Sequence, residues 1–274
     1  MAFSVNTNVG AMAALQSLNE TSKNMATTQS RINTGLNVNS TKDDSAAYTI
    51  AQTLRGDVGG LKAVTSSLNR AKSTVDVAVA GAEQISDLLN QMKSKATEAS
   101  DEGLDTGSRD QIKQDLTSLK ETVDSVIKSS SFNGSNLLSA TGASQVKALT
   151  SAKDLTATLD VANQNFEAIA TPLDTSTVTD AATAATFKGL VDTAADAVKK
   201  SLSTLGSASR KIDGQLAFNS KLSDVIEGGI GNLVDADLAK ESARLQALQV
   251  KQQLGVQALS IANQAPQAIM SLFR

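Results

Sequence analysis

The sequence predicts a mostly α fold, an elongated helical bundle rod with coiled-coil seams. Three observations predict it: a composition that favours helix, a long heptad repeat, and two amphipathic chain ends. The chain has 274 residues, is 41% apolar, holds only two prolines, and contains no Trp, His or Cys. Because aromatic residues make up only 3%, the core must be aliphatic. Intrinsic propensity favours helix through most of such a chain.

The heptad repeat between residues 61 and 99 is the strongest of these signals. Apolar residues kept at a 3.5-residue spacing describe a helix that packs along one seam. At 1.5 Å per residue, this helix would be roughly 60 Å long, which is why we expect an elongated domain. The two heptad rows are Leu61, Leu68, Val75, Ala82, Leu89 and Ala96, and Val64, Ala71, Ala78, Ile85, Met92 and Ala99.

Two further helical patterns follow, separated by a less regular middle. The first should begin near Ser108, a plausible N-cap, and its apolar positions are Ile112, Leu116, Leu119, Val123 and Val126. The second runs from Phe187 to Ile226, with Asn219 as the only polar member of a row that holds Val191, Val198, Leu205 and Ile212. The three helices are expected to pack lengthwise as a bundle. Residues 132–186 carry an Asn-Gly turn signal and Thr-rich runs, which predict short strands and loops.

Both chain ends are predicted to be amphipathic helices with charge-poor polar faces. Residues 1–40 hold three charged side chains, and residues 245–274 hold two. The large apolar residues expected to make the contacts are Leu18, Met25, Ile32, Leu245, Leu248, Leu259, Ile269 and Met270. These residues either pair with each other in one core or are buried against other copies of the chain, and periodicity leaves both possibilities open.

The stretch "RINTGLNVNSTKDD", residues 31–44, is predicted to be a joint between a terminal helix and the rod. As a calcium loop starting at Asn37 it fails, because Lys42 and Tyr48 stand where Gly and a bidentate Glu are needed. Gly35 is suited to end the first helix, and Asn39, Asp43 and Asp44 to bond nearby backbone groups and start the next one.

Gly228 and Gly229 are assigned to a second joint, between the helix predicted from Phe187 to Ile226 and the C-terminal helix. Small residues at a joint allow two nearly equal packings. Bulky substitutions at either glycine are therefore predicted to hold the assembled protein in one form.

The composition argues against most enzyme and binding classes. Without His, a Ser-His nucleophile pair is excluded, and zinc lacks its usual His and Cys ligands. No Gly-rich phosphate loop is present, so we expect no enzyme and no cofactor. A net charge of −3 argues against nucleic acid, and no apolar run of about 18 residues exists to span a membrane. The first thirty residues lack the pattern of a Sec-type signal peptide. A free amphipathic coiled-coil adaptor remains an alternative.

Three segments resemble bacterial flagellin, the subunit of the flagellar filament. They read "RINTGLNVNSTKDDSAAYTIAQTLR", "SSFNGSNLL" and "DADLAKESARLQALQVKQQLGVQALSIANQAPQAIMSLF". The resemblance covers roughly residues 1–140 and 190–274, with minor departures such as Tyr48 where the family often has Gly. It implies an inner, channel-lining domain of residues 1–42 and 233–274, and a rod domain of residues 43–232. The segment 132–186 is then a short excursion from the rod, in place of an outer domain.

The resemblance also implies partners and a location. The chain would polymerise with itself, and with sister flagellins, hook-associated junction and cap proteins. It would be handled by an export chaperone and the flagellar type III export apparatus, without a cleaved signal peptide, and would lie in the extracellular filament. A hook-filament junction protein of the same superfamily is the closest alternative. Neither nucleic acid nor a membrane is an expected partner.

One flagellin surface looks altered in this sequence. The patch read by the innate flagellin receptor of animals resembles L-Q-R-x-R-E-L-A, and the matching stretch here is "LNQMKSKA", from Leu89 to Ala96. Gln91 replaces an Arg, Ser94 a Glu and Lys95 a Leu. Receptor contact is therefore expected to lose charge-assisted hydrogen bonds.

Overall fold

The computed structural model describes residues 7–142 and 145–272, with side chains as far as residue 264. The predicted mostly α fold is confirmed. The helices in the described residues are α1 (Val9–Thr34), α2 (Ser45–Ala99), α3 (Thr106–Ser129), α4 (Phe166–Ala170), α5 (Ala181–Val234) and α6 (Leu238–Leu272). The strands are β1 (Ser131–Phe132), β2 (Ser135–Asn136), β3 (Gln145–Leu149) and β4 (Thr158–Ala162), and Thr175–Thr177 form a 3-10 turn.

Packing divides the chain into two compact units. The terminal unit comprises Met1–Gly56 and Val225–Arg274, and the central unit comprises Asp57–Asp224. The boundaries expected from the family, at 42/43 and 232/233, both fall inside the terminal unit, and they remain a prediction about the domains of the assembled protein.

The core of the central unit is the predicted heptad seam. All twelve residues of the two heptad rows between Leu61 and Ala99 are buried, which confirms that part of the prediction. The α5 row also faces the core, with Val191, Val198, Leu205 and Ile212 fully buried. On α3, Ile112, Leu116 and Val123 are buried, while Leu119 and Val126 pack half-buried against the same core.

The start of α3 differs from the prediction. Its N-cap is Asp105, whose carboxylate accepts hydrogen bonds from the backbone N–H groups of Gly107 and Ser108, so Ser108 is not the cap. A carboxylate can reach two of the free N–H groups of a first turn, and the dipole at a helix N-terminus favours its negative charge. The Arg109 side chain caps the C-terminal end of α2, because its guanidinium donates hydrogen bonds to the Ala99 and Asp101 carbonyls at 3.0 and 2.9 Å.

Two β-hairpins occupy the middle of the chain, as expected, together with the short helix α4 and a 3-10 turn, which were not predicted. Asn133 and Gly134 have φ values of 49° and 78°, the left-handed conformation that an Asn-Gly turn supplies between two paired strands. Strands β3 and β4 form the second antiparallel pair. This hairpin is tied to the helices, since the Leu149 N–H donates to Ser67 Oγ at 3.2 Å. Helix α5 begins at Ala181, earlier than the predicted start at Phe187.

Candidate functional site

Helices α1 and α6 pair antiparallel in the terminal unit. At one end, Asn8 Nδ2 donates to the Ala262 carbonyl at 2.8 Å. Further along, a Cβ on Gly255 would lie 3.9 Å from Leu18 Cβ, so the helices approach closely there. At the other end, Arg31 Nη1 lies 3.4 Å from Glu241 Oε1. The two ends of the chain therefore contact each other along almost the whole of α1.

This helix pair buries little apolar surface by itself. The predicted contact residues Leu18, Met25, Ile32, Leu245, Leu248 and Leu259 are all only half-buried. The fully buried side chains of α1 are two threonines, Thr21 and Thr28. The side chains of Ile269 and Met270 lie outside the described residues. Because fully burying a Leu or Ile side chain contributes about 1.5–3 kcal/mol, half-burial leaves much of that stabilisation unrealised.

Large apolar side chains also lie on the outside of the pair. On α1, Val9 is 75% and Met12 63% exposed; on α6, Leu254 is 59% and Ile261 69% exposed. We call seven of these exposed residues the outer apolar surface; they are Val9, Met12, Leu15, Val250, Leu254, Val256 and Ile261. Exposed apolar side chains that are scattered need no explanation, but a concentration on one helix pair is typical of an interaction surface.

Charged groups are rare on this pair, and the clearest interaction among them is partly buried. The side chain of Glu241 is 9% exposed and that of Arg31 25%. Arg31 Nε and Glu241 Oε2 are buried without a hydrogen-bond partner in the described residues. An ion pair of this kind contributes little net stability, because removing the two charges from water offsets most of their attraction.

The carboxylate of Asp43 stabilises the predicted joint between α1 and α2 through hydrogen bonds. Asp43 Oδ2 accepts hydrogen bonds from the Ser40 hydroxyl at 3.1 Å and from the Asn39 and Ser40 backbone N–H groups at 3.1 and 3.0 Å. These bonds, the Ser40 hydroxyl first, hold the pKa of Asp43 below its ordinary value, and the charge of Arg31 adds a smaller effect. Asp44 starts α2, where its Oδ1 accepts from the Ala47 N–H at 3.0 Å. One oxygen of each carboxylate, Asp43 Oδ2 and Asp44 Oδ1, is therefore engaged by N–H or O–H donors of the joint itself.

Backbone hydrogen bonds connect this joint to the end of α5. Gly35 ends α1 in the left-handed conformation, with φ 72°, as its residue type predicted. Its carbonyl accepts from the Ala236 N–H at 2.9 Å, and the Asn37 N–H donates to the Val234 carbonyl at 2.7 Å. Val38 and Val234 are buried in a small cluster beside these bonds.

Gly228 and Gly229 do not form the second joint. Both lie inside α5, which continues to Val234, and the chain leaves the helix at residues 235–237 instead. A helix tolerates glycine at a cost of about 0.5–1 kcal/mol relative to alanine, which further helical bonds and the burial of Val234 offset. Asp237 starts α6, since its Oδ1 accepts from the Ala239 and Lys240 N–H groups.

The stretch from Leu89 to Ala96, predicted to be an altered receptor patch, lies on α2 in the central unit, beside α3. Gln91 and Ser94 are exposed, whereas Leu89 is 1% exposed and belongs to the core, so it is not part of the accessible surface. Lys95 Nζ lies 2.9 Å from Asp115 Oδ2. A hydrogen bond to Asp115, with the charges of Asp115 and Glu98, raises the pKa of Lys95. Lys95 is thus paired with an acidic residue of α3.

Two further findings concern chemistry and membranes. Among residues 7–142 and 145–272, no group of three or more acidic side chains converges in a way that could hold a metal ion. Within the same part of the chain, no helix combines the length and the hydropathy needed to cross a bilayer.

Sequence reasoning missed two features of the terminal unit. Glu241 could have been found, because it precedes Leu245 and Leu248 at helical spacing and is thus a charge within a contact stripe. The exposure of Val9 and Met12 was harder to predict from the sequence. Where a helix carries two rows of large apolar residues, periodicity does not indicate which row faces the partner helix.

Comparison with known proteins agrees with this architecture. Residues 5–143 match the bacterial flagellin N-terminal helical region, and residues 189–273 match the bacterial flagellin C-terminal helical region. Flagellin FljK of Caulobacter vibrioides is 44% identical over 271 residues, which cover 99% of this chain and 98% of the relative. The flagellin of Brucella melitensis is 36% identical over 292 residues, with 99% of each chain covered.

The fold also resembles a solved flagellin. The crystal structure of Bacillus cereus flagellin covers 56% of this chain and 88% of its own, with a TM-score of 0.50 at 23% sequence identity. That likeness concerns the fold, while the full-length matches establish the family. This chain belongs to the bacterial flagellin family and is a structural subunit of the extracellular flagellar filament, into which it polymerises.

Proposed function

We propose that the α1–α6 pair is the surface through which this subunit polymerises, and that other copies of the chain cover its outer apolar surface. The observation that carries the proposal is the exposure of large aliphatic side chains on a pair that buries little by itself. Met12 on α1 and Leu254 on α6 are examples, each more than half exposed.

The charge distribution supports the same assignment. From residue 245 to the chain end, only Lys251 and Arg274 are charged, so a neighbouring subunit can cover this stretch without removing many charges from water. Assembly driven by apolar burial is also expected to strengthen in salts such as sulfate, which are excluded from protein surfaces.

A point substitution on the outer apolar surface tests the proposal most directly. Leu254→Ser should raise the concentration needed for polymerisation roughly tenfold, because burial of one such side chain contributes about 1.5–3 kcal/mol. Leu155→Ser is the matched control, since Leu155 is 71% exposed but lies between β3 and β4 in the central unit. Sedimentation and negative-stain electron microscopy of salted-out protein measure the effect. Equal polymerisation of the two variants would contradict the proposal.

Removing the C-terminal half of the pair is a second, stronger test. A chain that lacks residues 245–274 should remain helical and soluble but form no filaments, because α1 loses its partner and most of the outer apolar surface. Circular dichroism separates this outcome from general unfolding. Filaments of normal length from the truncated chain would show that the assembly surface lies elsewhere.

We further propose the finer partners and domains that flagellins imply. Residues 1–42 and 233–274 would form the inner domain, and residues 43–232 the rod. Sister flagellins, hook-associated junction and cap proteins, an export chaperone and the type III export apparatus would be partners, and the role would be structural rather than enzymatic. The alternatives of a junction protein or a free adaptor are not favoured, because the relatives matched over nearly the full chain are flagellins.

A further inference from the structure

The β1–β2 hairpin of the central unit contains the one asparagine of this chain that is followed by glycine. Asn133 and Gly134 form its two-residue turn, between the paired residues Phe132 and Ser135. Both turn residues are exposed to solvent. The hairpin therefore presents a side-chain amide directly beside the least hindered backbone nitrogen that a protein can offer.

An asparagine side chain can react with the backbone nitrogen of the next residue. That nitrogen, once it has lost its proton, attacks the Cγ carbon, the bond from Cγ to the side-chain nitrogen breaks, and ammonia leaves. Water then opens the resulting succinimide ring at either of its two carbonyls and gives aspartate or isoaspartate. Because the two reacting groups belong to adjacent residues, the reaction is intramolecular and needs no enzyme.

Nothing around the turn obstructs this attack. A Cβ placed on Gly134 would meet no atom within 4 Å, so the space beside its backbone is open. Among residues 7–142 and 145–272, neither the Asn133 side chain nor the Gly134 N–H takes part in a hydrogen bond. Both reacting groups are therefore available without the loss of any existing bond.

The hairpin is also too short to hold its tip rigidly. Its strands contain two residues each and pair only at Ser131 with Asn136 and at Phe132 with Ser135. A two-stranded hairpin of this kind is marginally stable by itself. Asn133 has a φ of 49°, a conformation less favourable for asparagine than for glycine. Ring closure requires rotation about the Asn133 backbone, and this hairpin opposes that rotation only weakly.

Buried asparagines of the central unit are held in place. Asn136 is 7% exposed, and its side chain donates to the Ile127 carbonyl at 2.7 Å and accepts from the Leu138 N–H at 2.8 Å. Asn219 is 2% exposed and donates to the Leu61 carbonyl at 3.0 Å. In these residues, the amide would have to break buried hydrogen bonds before it could react.

We propose that Asn133 is a site of spontaneous deamidation in the folded subunit, with water as the co-reactant and aspartate and isoaspartate as the products. Each event replaces a neutral amide with a carboxylate at the tip of the hairpin. The isoaspartate form also moves one methylene from the side chain into the backbone, so it lengthens the turn. The proposal rests on the hairpin alone and does not depend on the assembly proposed above.

Incubation of the purified full-length chain in mildly alkaline buffer tests the proposal. Peptide mass spectrometry locates each conversion of amide to acid, and methylation by an isoaspartate O-methyltransferase identifies the isoaspartate form. We expect Asn133 to convert before every other asparagine of the central unit, because each of the others is followed by a residue with a side chain. Conversion should accelerate as pH rises, since the attacking nitrogen must lose its proton.

Two variants serve as controls. Asn133→Gly removes the reacting amide but suits the same turn, since Gly-Gly is accepted there, and it should abolish the early conversion. Arg70→Gly creates a second exposed Asn-Gly pair, with Asn69, inside α2. Helical hydrogen bonds hold the backbone nitrogen of that pair, so Asn69 should convert at least roughly tenfold more slowly than Asn133. Equal rates at the two positions would overturn the assignment of the reactivity to the hairpin.

The chain unfolded in guanidinium chloride at the same pH supplies the reference rate. In the folded chain, Asn133 should convert within roughly tenfold of that rate, a factor that corresponds to about 1.4 kcal/mol for opening the tip. A lower folded rate would show that the turn protects the amide and would contradict the proposal, as would conversion spread evenly over the asparagines of the central unit. Circular dichroism verifies that the chain stays folded during the incubation.

Discussion

Asn219 on α5 donates from its side-chain amide to the Leu61 carbonyl on α2 at 3.0 Å. The same amide lies 2.9 Å from Thr65 Oγ1, and Asn219 is only 2% exposed. The residue occupies a core position of the α5 row, where apolar residues stand at the preceding heptad steps. A buried Asn at such a position fixes the alignment of two helices at some cost in stability.

Removal of this amide should weaken the central unit. Asn219→Ala is expected to lower the free energy of unfolding by about 1–2 kcal/mol, because it deletes buried hydrogen bonds and leaves a small void. Chemical denaturation followed by circular dichroism measures the change. Asn69→Ala, at an exposed position of α2, is the control and should stay within about 0.5 kcal/mol. Equal stability of both variants would show that the Asn219 bonds are dispensable.

Two helical glycines should respond in opposite ways to alanine. A Cβ on Gly81 would overlap Ser130 Oγ and lie 3.0 Å from Leu138 Cδ1, so Gly81→Ala should destabilise by about 1–3 kcal/mol. A Cβ on Gly228 meets nothing within 4 Å, so Gly228→Ala should stabilise α5 by about 0.5–1 kcal/mol. Thermal unfolding compares the two. A loss of stability in Gly228→Ala would mean that this position is packed or must bend.

The joint should carry an acid-sensitive contribution to stability. The folded pKa of Asp43 is lowered, first by the Ser40 hydroxyl and then by backbone N–H groups. Its stabilising effect is therefore present above the unfolded pKa and is lost as pH falls through the folded value. Asp43→Asn should reduce stability at neutral pH and flatten the acid limb of the stability profile. Asp87→Asn, at an exposed position of α2, should leave the profile unchanged.

Chelation should leave the joint unaffected. Asp43 Oδ2 accepts three hydrogen bonds from groups of the joint itself, so we expect neither EDTA nor added calcium to alter unfolding or filament stability. Melting curves of filaments with and without chelator test this. A saturable calcium dependence that Asp43→Ala abolishes would overturn the assignment of this segment as a purely structural joint.

The receptor patch should bind the innate flagellin receptor weakly. Gln91→Arg together with Ser94→Glu is expected to strengthen binding to the receptor ectodomain at least roughly tenfold, since a hydrogen bond to a charged group contributes about 1.5–3 kcal/mol. Asn69→Arg is the control for added charge. Leu89 lies in the core and should not be used to probe the patch. Unchanged binding would show that other surfaces limit recognition.

The sequence by itself determined the helices and their buried faces in the central unit. Every residue of the two α2 heptad rows is buried, because a long amphipathic helix has one apolar stripe and must place it in the core. The sequence also determined the local turns. These turns require the left-handed backbone conformation, and Gly35, Asn133 and Gly134 are of the few residue types that adopt it readily.

Only the tertiary structure decided the arrangement of the terminal unit. Gly228 was assigned to a joint, but α5 runs on to Val234, because the packing of Val234 against Val38 outweighs a modest local preference. The choice between the two apolar faces of α6 was likewise beyond periodicity, since both faces repeat at helical spacing. In the structure, Arg31 and Glu241, which are 210 residues apart in the chain, lie 3.4 Å apart where α1 and α6 pair.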